Sequence, residues 1–212
     1  MVDGGFYARG PEAVQTFRAP RYRPVVSGHR WRHSWDDPFE TGLVVVVPEA
    51  ARCVGPVRDV FDPYARIGVP PHITVLYPFV LPELLSDAVV DEVADVVGRF
   101  PPFDLELTHL AEFDGEVFYL APDPAEPFAA ITQALWDRFP DHPPFGGRFE
   151  TVVPHLTVAA VPFGATRERV EDLLASDLPI AARATGVAVM IEDEDGWTIG
   201  PELPFREGPT AS

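Results

Sequence analysis

The sequence contains no lysine and no asparagine, and all 16 of its basic residues are arginine. Lysine chemistry is thereby excluded. Cys53 is the single cysteine, so an intramolecular disulfide and a thiolate metal cluster are excluded too. No apolar run approaches the ~20 residues needed to cross a bilayer, and Met1 to Pro24 lacks the apolar stretch of a secretory signal. A soluble cytoplasmic protein without membrane attachment is expected. No glycine-rich phosphate loop follows any predicted strand, which speaks against a P-loop or Rossmann fold. Positive charge is scarce overall: the net charge is −17 and the isoelectric point near 4.6. Such a surface argues against a broad electrostatic grip on long nucleic acid, while a small or terminal phosphate ligand stays compatible.

What is present suffices for a core. At 212 residues and 46% hydrophobic content the chain fits one domain or two small lobes. Its 25 prolines stiffen the loops but are spread among apolar segments, so the chain as a whole is not expected to be disordered. Residues 1–40 form an arginine-rich extension. Arg9, Arg18, Arg21, Arg23, Arg30 and Arg32 face only Asp3 and Glu12 before Asp36. It is expected to be a loosely docked, solvated arm. The sharper alternative is that the run His29 to Trp35 helps hold a nucleotide or RNA end. His29 and His33 lack a third ligand, so no metal site is expected there.

Periodicity and turn residues place the remaining elements. Leu43 to Val47 is a buried strand, and Glu49 to Ala65 is helical with an interruption at Gly55-Pro56. A strand from His72 to about Tyr77 follows, entered through Val69-Pro70-Pro71. Pro82 to Arg99 reads as one long helix, Phe103 to Leu107 and Val117 to Leu120 as strands around Asp114-Gly115, and Ala125 to Phe139 as a helix. Thr166 to Ala175 is a short helix. Ile180 to Ile191 and Trp197 to Leu203 read as a hairpin around an acidic turn, and residues 206–212 as a disordered tail.

One pattern stands out. Pro71-His72-Ile73-Thr74-Val75 returns as Pro154-His155-Leu156-Thr157-Val158, the two histidines 83 residues apart. A lone His-apolar-Thr-apolar string arises by accident in roughly one chain in ten; two copies, each introduced by proline, are an internal repeat. In a strand, residues i and i+2 share a face. His72 and Thr74 therefore point one way, as do His155 and Thr157, while the apolar residues between them anchor the strands. Each copy offers an imidazole, able to act as acid or base near neutral pH, beside a hydroxyl that can donate to a phosphate oxygen. His109 and His142 lack a partner motif and are expected to be structural. Tyr77, Phe79, Phe145 and Phe149 could stack a base, although aromatics beside strands usually belong to the core. Arg66 and Arg148, shortly before the two motifs, are further phosphate candidates.

The paired motif resembles the 2H phosphoesterase superfamily, in its 2′-5′ RNA ligase and cyclic nucleotide phosphodiesterase branch. The likeness extends from Asp62-Pro63 to Phe79, and to Pro144-Phe145-Gly146-Gly147 and Gly196-Trp197; it covers about residues 41–205. It implies an α+β, bilobal, duplicated fold with two antiparallel sheets around a central cleft and helices outside. It also implies metal-independent chemistry, without a cofactor, on a 2′,3′-cyclic phosphate or related nucleotide or RNA-end phosphodiester. His72 and His155 would be the general acid and base, in an order left open, and Thr74 and Thr157 would bind the phosphate. A monomer acting on a small nucleotide or RNA-end phosphate is expected. RNA ligation through the same residues, and a non-catalytic nucleotide or RNA-end binding module, are the alternatives.

Overall fold

The structure is a computed structural model describing residues 38–113, 115–174 and 178–207. Most of the arginine-rich extension, including His29 and His33, lies outside the described residues. So do Asp114, Ala175 and residues 208–212 of the expected tail.

Two antiparallel four-stranded sheets carry the fold. The first has the order β2-β1-β7-β8, with β1 at Thr41–Val46, β2 at His72–Leu76, β7 at Gly186–Asp193 and β8 at Gly196–Pro204. The second has the order β5-β4-β3-β6, with β3 at Phe103–Phe113, β4 at Val117–Asp123, β5 at Leu156–Ala160 and β6 at Ile180–Ala184. The expected α+β fold of two antiparallel sheets is thus present, and each histidine strand is the edge of its sheet. The two edges face each other, β2 against β5.

The helices interlock the lobes. Helix α1 (Ala51–Phe61) links β1 to β2 yet packs on β5, and α3 (Glu126–Arg138) links β4 to β5 yet packs on β2. Each histidine strand therefore rests on the helix of the other half. One continuous core results, in which Leu43, Val45 and Ile73 of the first sheet meet Leu107, Leu120 and Leu156 of the second. This burial overrides local propensity in α1. Pro56 removes a helical hydrogen bond, and an interruption was expected there. The helix nevertheless continues through it, because Val54, Val57 and Phe61 are fully or almost fully buried along one side.

Other elements differ from expectation, among them β3, which runs to Phe113, six residues past the expected Leu107. The single helix over 82–99 is a 3-10 turn (Pro82–Leu84) followed by α2 (Asp87–Val97), because Ser86 caps α2 by accepting from Val89 N at 3.4 Å. Leu84, assigned to its core stripe, is exposed. The long strand over 180–191 breaks at Thr185, and its halves β6 and β7 join different sheets. Gly186 opens the second half where a Cβ would collide with the Leu203 carbonyl on β8. At the C-terminal end, Phe205 is buried and Arg206 N bonds Phe100 O at 2.9 Å, so the chain is still held there. Short helix α4 (Arg167–Leu174) begins as expected at Thr166, whose Oγ1 accepts from Arg169 N.

Candidate active site

The repeat persists in backbone detail. On β2, Ile73 and Val75 are buried in the core while His72 and Thr74 stay on the open face. On the second copy, Leu156 and Val158 are buried while His155 and Thr157 stay open. Val44 pairs with Thr74 and Leu43 with Leu76, which leaves Val75 as a bulge. Tyr119 pairs with Thr157 and Phe118 with Ala159, which leaves Val158 as a bulge at the same place in the motif. A bulge sharpens the local twist and re-aims neighbouring side chains. Its recurrence makes both motifs present their polar residues in the same manner.

Each imidazole is oriented by its own chain. His72 Nδ1 lies 2.8 Å from Pro70 O, and His155 Nδ1 lies 2.8 Å from Val153 O. A carbonyl only accepts, so both Nδ1 atoms carry the proton, and in the neutral rings both Nε2 atoms hold a free lone pair. Both rings keep partial access to solvent while protein surrounds their other sides. That desolvation disfavours the imidazolium. His72 is lowered to about 4, chiefly by burial, with the charges of Arg58 and His155 pushing the same way and the Pro70 bond opposing them. His155 is lowered as well, by burial, against its bond to Val153. The charge of His155 acts on His72, which sets the two imidazoles in one electrostatic neighbourhood.

The surroundings of the two rings differ. Behind His72 lies a buried ion pair: Arg58 Nε contacts Asp62 at 2.9 Å, with both side chains 4% exposed. Arg58 Nη2 also donates to Val69 O at 3.0 Å, fixing the loop whose next carbonyl, that of Pro70, holds His72. Burial raises the Asp62 carboxyl, and Arg58 opposes this. Gly68, in the left-handed region at φ 94°, lets that loop pass against the Trp197 carbonyl, where any side chain would collide. Around His155 the packing is aromatic instead. Phe113 meets it edge-on at 4.9 Å and Tyr119 at 5.4 Å, and these two rings stack at 4.1 Å.

The remaining candidates fall elsewhere. Phe79 is buried in the core and packs edge-on against Phe139 and the half-buried His142. Tyr77 bonds Glu40 and meets Trp197, while Phe145 packs against Phe149 in the loop after α3. Arg66 is spent on the carbonyl of Asp59, Arg148 on that of Phe145, and His109 pairs with Thr108. A concavity of about 550 Å³ holds neither histidine; Glu49, Asp104, Glu106 and Asp123 line it with Arg183, and its net negative charge repels phosphate. Among the described residues no group of three or more His, Cys, Asp or Glu is placed to hold a metal ion, and no helix is long and apolar enough to cross a membrane. Arg58, Asp62, Phe113 and Tyr119 were not singled out from sequence as site residues. The spacing of Arg58 and Asp62 along a predicted helix was a usable signal; the two aromatics needed the strand register.

Two antiparallel sheets that bring duplicated His-x-Thr strands edge to edge define the bilobal fold of the 2H phosphoesterases. Residues 46–196 match the family model described as the 2′-5′ RNA ligase superfamily, and the chain belongs to that family. A Geobacillus kaustophilus protein provisionally named a phosphoesterase is 26% identical over 121 residues, which span 55% of this chain and 66% of the relative. A similarly named Bacillus cytotoxicus protein is 28% identical over 105 residues, 49% of this chain and 58% of the relative. The chain thus matches less than two thirds of either relative's length. Escherichia coli LigT, solved with 3′-AMP, shares the fold at a TM-score of 0.52 and 15% identity, over 81% of this chain and 100% of LigT. A Thermus thermophilus protein of known structure shares it at a TM-score of 0.54 and 18% identity, over 79% of this chain and 98% of that protein.

Proposed function

We propose that this chain is a metal-independent phosphodiesterase that opens a 2′,3′-cyclic phosphate or a related nucleotide or RNA-end phosphodiester. His72 and His155 serve as its acid–base pair, and Thr74 and Thr157 hold the phosphate. The matched tautomer carries this reading: each Nδ1 proton is committed to a backbone carbonyl, so each Nε2 is left for the substrate. One Nε2 takes a proton from the attacking water while the other, protonated, delivers one to the departing sugar oxygen. The threonine hydroxyls donate to the non-bridging oxygens as charge builds on them. LigT has been solved with 3′-AMP and with phosphate, which supports a small phosphate-bearing ligand here.

The lowered imidazole pKa values add a requirement. At neutral pH both rings rest neutral, and two bases cannot complete the reaction. A bound phosphate anion favours imidazolium, so substrate binding draws in the proton that the acid needs. In the ligation direction, which the family description keeps open, the two roles exchange. The net charge of −17 favours a small substrate over a long RNA.

The test is hydrolysis of a 2′,3′-cyclic nucleotide in the presence of a chelator, with joining of 2′,3′-cyclic-phosphate and 5′-hydroxyl RNA ends assayed in parallel. Chelator-resistant hydrolysis, lost by ~10²–10⁴-fold in His72→Ala and in His155→Ala, is expected. Wild-type turnover in either variant would overturn the reading. Binding of a 2′-phosphorylated nucleotide without product would convert the protein into a binding module.

A further inference from the structure

The duplicated frame supplies an internal control. Val44 stands opposite Thr74 on β1, and Tyr119 stands opposite Thr157 on β4, each immediately before the bulge of its sheet. Residues directly opposite on antiparallel strands share a face. Val44 and Tyr119 are thus equivalent positions beside the two hydroxyls, one occupied by an aliphatic side chain and the other by a phenol. Both are buried, at 4% and 8% exposure.

The phenol ring has ample packing, stacked on Phe113 and edge-on to His155. Its hydroxyl has no hydrogen-bond partner among the described residues. The side chain as a whole is 8% exposed, so the hydroxyl is partly desolvated without a protein acceptor, and phenylalanine would make the same ring contacts. The valine across the pseudo-twofold shows that this position does not require a polar group. Packing therefore accounts for the ring and leaves the hydroxyl unexplained, and an unpartnered donor beside a candidate catalytic group points to a ligand. Burial also raises the phenol's pKa, so it remains a protonated donor at neutral pH.

We propose that Tyr119 is a substrate-contacting residue whose hydroxyl donates to a phosphate oxygen of the bound phosphodiester on the His155 side. This rests on the phosphodiesterase reading above and deepens it. The site then holds its phosphate with three hydroxyls, Thr74, Thr157 and Tyr119, rather than a symmetric two. The third donor makes the His155 side the tighter grip on the anion and leaves the Val44 side apolar.

The experiment compares Tyr119→Phe with wild type in three readouts: Tm without ligand, affinity for inorganic phosphate by calorimetry, and kcat and KM on a 2′,3′-cyclic nucleotide. Tyr119→Phe is expected to keep or slightly raise Tm, to weaken phosphate binding about fivefold or more, and to lower kcat/KM by roughly 10- to 100-fold, mainly in kcat. Unchanged phosphate affinity and kcat/KM would overturn the proposal, as would a loss of activity that tracks a fall in Tm. If wild type binds phosphate without turning over the nucleotide, the phosphodiesterase reading fails while weaker binding by the variant still supports the Tyr119 contact. Failure of wild type to bind phosphate at all would sink both.

Discussion

The two halves of the cleft share a frame and differ in what stands behind it. Both present His-x-Thr on an edge strand, bulged at the following valine, with Nδ1 tied to the carbonyl two residues upstream. Behind His72, however, lies the Arg58–Asp62 ion pair, and around His155 lie Phe113 and Tyr119. Burial disfavours imidazolium at both rings, and at His72 the charge of Arg58 adds to it. Equivalent rings thus reach the same resting state amid neighbours of unlike chemistry. Duplication preserved the backbone device that aims each imidazole, and the neighbouring side chains diverged around it.

The sharpest way to break the likeness is to remove the cation. Arg58→Met leaves Asp62 buried and unpaired, and chemical denaturation should show a loss of about 3–5 kcal/mol. The double variant Arg58→Met, Asp62→Leu should recover much of that stability. His72, followed by NMR, should still titrate nearer the ordinary histidine range in the double variant, with His155 little changed; equal movement of both rings would refute the asymmetry. Next in size, Thr74→Val and Thr157→Val should each slow turnover of a cyclic phosphate by roughly 10²–10³-fold with little change in folding. A variant that keeps its rate would show that its half contributes no donor. Gly68→Ala affects only the His72 half. It forces a side chain into the left-handed region and against Trp197, and should cost stability of order 1–3 kcal/mol by thermal melt.

A smaller effect concerns acid. Both histidines have lowered pKa values in the fold, whereas the unfolded chain titrates near 6.5. Between about 6.5 and the value of about 4 for His72, the unfolded state binds more protons than the folded one. This contribution is fully present above pH 6.5 and is lost as pH falls through that window. His72→Gln should flatten the fall of Tm across it; an unchanged slope would mean that His72 is not held neutral.

How far the sequence led depended on which force decided each feature. Strand alternation and the proline before each histidine made the polar faces of 72/74 and 155/157 legible, because the period of two admits one answer once Ile73 and Leu156 go inward. The family likeness supplied the two-sheet frame. The cap at Ser86 was present in the sequence but hidden by an apolar pattern running through it. Continuity of α1 through Pro56 was not legible, since packing of Val57 and Phe61 outweighed the proline. Nor was the break at Thr185, because residues 180–191 contain no proline and support a strand equally well in one sheet or two. Arg58 and Tyr119 come to the histidines only through tertiary pairing, which is why neither was a candidate before the fold was known.

The most direct measurement of the central claim, that two distant imidazoles serve one phosphate, is a double-mutant comparison on a 2′,3′-cyclic nucleotide. If His72 and His155 act on the same bond, each alanine variant loses at least ~10²-fold, and the double variant is scarcely slower than the worse single. Losses that multiply independently in the double variant, or a single variant that retains the wild-type rate, would contradict it.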